Sequence, residues 1–204
     1  AYTNENAYSF DIKGRVTSPF LSKSGDTIIY IHDDTAGIRF RGTGTYFELE
    51  TNHAVFKPGV EVTIWSGVIE QENGMRSVRS KIYDGDPLNE YNDIFISDTN
   101  PVPVVPRLIT LEEYFADGEA VEGALIKITN LTCGAVAWPY GEDFGFFVTN
   151  ISPAGVTNVI QVRLDADTDV PGQLAPTNAF DLIGIASQYS TLPIPSNGYQ
   201  ILAR

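Results

Sequence analysis

Apolar and polar residues alternate with a period of two in several short runs, the signature of strands with one buried face. The clearest is Ile28 to Arg41, I-I-Y-I-H-D-D-T-A-G-I-R-F-R. Ile29 and Ile31 alternate with Tyr30 and His32, and beyond a turn Ile38 and Phe40 alternate with Arg39 and Arg41. Asp33-Asp34-Thr35-Ala36-Gly37 supplies the turn, with side chains able to bond nearby backbone and a glycine free to take positive φ. Runs 10–18, 60–70 and 75–82 also alternate, and Asn73-Gly74 marks a hairpin between the last two. Gly14 inside the first run predicts a bulge or bend.

Five strands in the order 10–18, 27–33, 37–42, 60–70 and 75–82, with a long connection before the fourth, predict a small Greek-key barrel of the OB-fold type. The pattern returns after residue 120: 121–130 with an internal glycine, 144–150, 156–164, 180–187 and a final Asn197-Gly198 turn into Tyr199–Leu202. Between the two units, Pro101, Pro103 and Pro106 give a linker composition. Thr110-Leu111-Glu112-Glu113 then reads as a capping box opening one short helix, with Ile109 and Tyr114 placed as a hydrophobic staple. The expected fold class is all-β: two tandem five-stranded Greek-key OB-fold-like barrels, 1–83 and 120–204, joined by a linker with a short helix at 84–119.

I-Y-I-H-D-D-T-A-G-I, P-G-V-E-V-T-I-W-S-G-V-I-E, T-L-E-E-Y, V-E-G-A-L-I-K-I-T-N-L-T and G-Y-Q-I-L-A-R together resemble tandem OB-fold modules of bacterial secreted and cell-surface proteins, of the kind accompanying extracellular nucleases and phosphodiesterases. The resemblance implies a non-catalytic accessory module of a larger polypeptide with an extracellular, periplasmic or cell-surface location. It carries over no catalytic residue, because in such proteins catalysis belongs to other domains.

Charge narrows the partners. The net charge is −13, and it is uneven: nine Lys/Arg face ten Asp/Glu up to residue 83, against four and sixteen from there on. An acidic second half repels phosphate backbones, so only the first unit is a candidate for single-stranded nucleic acid. If Ile29, Ile31, Ile38 and Phe40 point inward, Tyr30, His32, Arg39 and Arg41 share the outer face, where OB barrels hold oligonucleotides or oligosaccharides. Tyr30 would stack on a base or sugar ring and the arginines would hold oxygens, with Trp65, Tyr46 and Phe47 as added platform and Arg76, Arg79 and Lys81 as added charge. A polysaccharide is the alternative ligand.

Asp165, Asp167 and Asp169 have the spacing of the first ligands of a calcium loop. Val170 and Pro176 stand where its glycine and glutamate belong, which excludes an EF-hand and leaves a looser calcium site. No other cofactor is expected. Two histidines and one cysteine, Cys133, offer neither a zinc set nor a disulfide, and Cys133 reads as a buried structural thiol. With no nucleophile elbow or phosphate loop, no enzyme is expected. No apolar run reaches the length of a membrane span, and no signal peptide precedes Ala1; if one existed, it has been removed.

Overall fold

The structure, a computed structural model, describes residues 11–19, 21–23, 26–43, 56–64, 67–80, 94–134, 138–168, 170–191 and 197–204. Among these it is nearly all β, with two sheets and one short α-helix. The first sheet contains β1 (Ile12–Val16), β2 (Leu21–Lys23), β3 (Asp26–His32), β4 (Gly37–Thr43), β5 (Glu61–Ile64), β6 (Gly67–Glu72), β7 (Met75–Ser80) and β8 (Ile94–Asp98). Its order is β6-β7-β4-β3-β1-β5-β8, with β2 alongside β3. The second contains β9 (Arg107–Leu108), β10 (Leu125–Cys133), β11 (Phe144–Ile151), β12 (Thr157–Leu164), β13 (Phe180–Gln188) and β14 (Tyr199–Ala203).

The second sheet closes on itself. Strands β10, β11, β12, β14 and β13 follow one another, and β13 pairs back onto β10. The last strand runs parallel to the third, which is the Greek-key order the sequence predicts. One strand can serve both neighbours because β10 bends: its register with β13 shifts between Ile128 and Leu131, and Asn130 takes φ 59°. Asparagine tolerates that conformation better than most side chains. The expected bend at Gly123 lies instead in the turn before β10.

The first sheet has the same order of strands, including the parallel β4–β7 pair, and β5 and β6 are separated by two residues only. The expected strand 60–70 is described on either side of residues 65–66, which lie outside the described residues: β5 pairs with β1 and β6 with β7. The apolar core of this sheet contains Ile29, Ile31 and Phe40 of the predicted inward set, with Ile38 partly buried against them, and is completed by residues including Val62, Ile64 and Val78.

Residues 94–119, within the span expected as a linker, include two short strands and the helix. β8 pairs with β5 of the first sheet, and β9 runs parallel to the start of β10 in the second. The helix α1 (Leu111–Ala116) follows, capped as predicted: the Glu113 N–H donates to Thr110 Oγ1 (3.1 Å) and the Thr110 N–H to Glu113 Oε2 (2.7 Å). Ile109 and Tyr114 are both buried, and the Tyr114 hydroxyl lies 2.9 Å from the carbonyls of Ser187 and of Gln200. That bond ties the helix to the β13–β14 pair.

The two sheets meet along a seam. Leu21, Tyr30 and Met75 of the first form one buried cluster with Leu125, Ile185 and Leu202 of the second. Each large apolar side chain buried this way contributes about 1.5–3 kcal/mol. Beside the cluster two backbones nearly touch: a Cβ on Gly37 would sit 2.1 Å from the Gly123 carbonyl oxygen, and one on Gly123 2.7 Å from the Gly37 carbonyl carbon. Gly123 also has φ +77°, whereas Gly37 does not adopt positive φ. The glycine that ends the hairpin turn is required by close approach, not by the turn itself. At the far end of the seam the Asn73-Gly74 turn packs on the Gln188 side chain, and the Ser190 N–H donates to the Asn73 carbonyl (2.6 Å).

Gly37→Ala is expected to lower stability by about 1–3 kcal/mol through overpacking, read as a fall in the urea midpoint. Gly134→Ala, whose Cβ would meet nothing within 4 Å, should stay within about 0.5 kcal/mol of wild type. Thr110→Ala should cost about 1 kcal/mol by loss of the cap.

Candidate ligand-binding face

The hairpin β3–β4 places its outer side chains as the alternation requires. The turn is held by Asp33, whose Oδ1 accepts the N–H groups of Thr35 (2.7 Å) and Ala36 (2.8 Å). Tyr30 pairs across the strands with Arg39, and Arg41 lies two residues further along β4. Arg39 and Arg41 are in register with Ser77 and Arg79 on β7. Tyr30, Arg39, Arg41 and Arg79 thus share one outer sheet face.

The expectation that this face is open fails at its centre. Tyr30 is only 4% exposed, because the second sheet stands against it. Burial raises its phenol pKa above the usual tyrosine value, with Arg39 opposing the rise. In this arrangement its ring cannot stack on a base or sugar. His32, at the end of the same strand, is 9% exposed. Burial lowers its pKa below the ordinary histidine value and keeps the ring neutral at physiological pH.

The arginines are exposed in part but are not bare positive charge. Arg39 Nη2 lies 3.4 Å from Glu72 Oε2 and donates to Ser77 Oγ (3.2 Å). Arg41 Nη1 lies 3.0 Å from Glu72 and 3.6 Å from Glu70, and Arg79 Nε 3.3 Å from Glu70. The adjacent hairpin β6–β7 therefore supplies two carboxylates to three guanidinium groups. Arg76 is exposed, and its backbone N–H, not its side chain, makes the hydrogen bond that matters: it donates to Glu122 Oε1 (2.5 Å) across the seam. Trp65, Tyr46, Phe47 and Lys81 lie outside the described residues.

The acidic candidates are also placed. Asp165 and Asp167 sit in the turn after β12, where Asp165 Oδ1 accepts the Asp167 N–H (3.0 Å), and Asp169 lies outside the described residues. Asp165, Arg39 and Tyr30 line one small cavity of about 80 Å³ at the seam, far apart in sequence but brought together there. Burial raises the Asp165 pKa, and the neighbouring carboxylates of Asp143 and Asp167 push the same way. Asp143 itself is engaged with Arg163 and accepts the Ala166 N–H (3.1 Å). Among the described residues no group of three or more acidic, histidine or cysteine side chains is arranged to hold a metal ion. Cys133 is half-buried, not buried, and its thiol donates to the Pro176 carbonyl (3.4 Å).

Sequence reasoning did not single out Glu122. It lies in the turn before β10, and burial raises its pKa from 4.5 to about 7. Its second carboxylate oxygen is buried without a hydrogen-bond partner. A folded-state pKa above the unfolded one means that Glu122 adds stability fully below pH 4.5, and that this contribution is lost as pH rises through about 7. Glu122→Gln keeps the acceptor for Arg76. The stability difference between this variant and wild type is therefore expected to widen in the variant's favour from pH 4.5 to above 7, as measured by urea unfolding at several pH values. A difference independent of pH would remove the assignment.

No protein-family model matches the sequence, and no characterised protein matches it by sequence. Solved structures of similar outline include the p204 HINb domain, at 9% identity and TM-score 0.41 over 98% of this chain and 95% of that one. A replication protein A heterotrimer bound to single-stranded DNA gives 12% identity and TM-score 0.38 over 99% of this chain and 52% of that one. The Ifi202 HINa domain in complex with double-stranded DNA gives 12% and 0.37 over 88% and 85%. Similarity this loose assigns this chain neither a family nor a ligand.

Proposed function

We propose that this chain is a non-catalytic module of two OB-fold barrels within a larger secreted or surface protein, in which the second barrel occupies the face the first would offer to a ligand. The burial of Tyr30 under Leu125, Ile185 and Leu202 carries this reading. The module then acts as one spacer of fixed geometry that positions its neighbours. The charges agree with it: Arg39, Arg41 and Arg79 are matched by Glu70 and Glu72, so little net positive field is left to draw a phosphate chain.

The test combines unfolding and binding. The module should unfold in a single cooperative transition followed by fluorescence and by far-ultraviolet circular dichroism, and labelled single-stranded DNA should show no salt-dependent association. Two separated transitions would sink the rigid-spacer reading. DNA binding that falls steeply with salt and is lost in the double variant Arg39→Ala, Arg41→Ala would replace it with the nucleic-acid reading.

One observation favours a second reading, a carbohydrate-binding module. The β11–β12 face of the closed barrel, equivalent to the covered one, is open: Phe147 is 63% exposed, with Ile151 and Val159 on the same side. Binding of a soluble polysaccharide that is insensitive to salt and abolished by Phe147→Ala would establish it.

A further inference from the structure

We propose that the cleft between β1, the 33–35 turn and the 102–107 segment is a binding site for a short neutral oligosaccharide, held by Arg107, Asp34 and the ring of His32. The cleft measures about 780 Å³, within the range of small-molecule sites, and lies where the two sheets meet, a usual place for such sites. It lies at the His32 end of the covered β3–β4 face and apart from the open β11–β12 face, so it rests on the packing of the two sheets in the first reading and not on the second.

The lining separates into groups that are already satisfied and groups that are not. Lys13 Nζ is 2.8 Å from Glu61 Oε1, Arg15 donates to the Gly59 carbonyl (2.9 Å), and Asp33 holds its own turn. Three polar groups remain. His32 Nδ1 is buried without a hydrogen-bond partner, in a residue more than nine-tenths covered. A buried polar atom left unpaired costs about 1–3 kcal/mol, a cost that a ligand can relieve. The Arg107 guanidinium and the Asp34 carboxylate have no hydrogen-bond or ion-pair partner among the described residues, and both line the cleft.

These three select the ligand's chemistry. A guanidinium only donates and a carboxylate only accepts, while the neutral imidazole can be met from either side. A hydroxyl group both donates and accepts, so a polyhydroxylated ligand satisfies all three. A ligand of net charge gains from one of Arg107 and Asp34 and is repelled by the other. The opposite wall is apolar, with Val102, Pro103, Val104 and Val105, and suits the C–H faces of a sugar ring.

The experiment is a titration of the isotope-labelled module with a panel of short neutral gluco-, manno-, galacto- and xylo-oligosaccharides, followed by amide chemical shifts. At least one member should shift the amides of His32, Val104, Val105 and Arg107, with an affinity unchanged by salt. Arg107→Ala, at an exposed position, should weaken it by about tenfold or more, and Val105→Trp, which fills the cleft from an 84% exposed position, should abolish it. Phe147→Ala should leave it unchanged. The proposal is overturned if no member shifts the cleft amides, or if binding survives Val105→Trp and is lost in Phe147→Ala.

Discussion

The structure depends on one close approach, backbone on backbone, at Gly37 and Gly123. Only where both residues lack a Cβ can the end of the β3–β4 hairpin rest directly on the turn that opens β10. That approach brings Leu125, Ile185 and Leu202 down onto Tyr30, Leu21 and Met75, and places the Glu122 carboxylate against the Arg76 amide. The seam, the half-buried acid and the cleft beside it all follow from it.

Much of this was legible in the residues. The alternation in 28–41 gives both strands and their inward set, because only one register buries Ile29, Ile31 and Phe40 together. The capping box at Thr110 is visible because its chemistry is local, four residues satisfying their own amides. The order of strands in 125–203 is visible for the same reason: each strand is a separate alternating run bounded by turn residues.

What escaped the sequence is whatever depends on a partner remote in the chain. Alternation shows that Tyr30 and Arg39 share a face, but not what stands opposite that face. Tyr30 is amphipathic enough to suit either a ligand or a packed seam. Gly37 was legible as a turn glycine and is needed for an approach from 86 residues away. The five-residue β8 and two-residue β9 are too short for a periodic signal, and their pairing with β5 and β10 makes strand of what composition marks as linker. The neutralisation of Arg39 and Arg41 required the parallel β4–β7 register, which no local pattern announces.

The covered Tyr30 has a consequence for how such a chain can be rearranged. In a protein assembled from interchangeable domains, a barrel can be copied or exchanged freely only if its surface is complete without its neighbour. Here each half is part of the other's surface. Leu21, Tyr30 and Met75 would form an apolar patch on the first half alone, and Leu125, Ile185 and Leu202 its counterpart on the second. The unit of inheritance is then the pair: two sheets of like strand order, but a single piece for recombination.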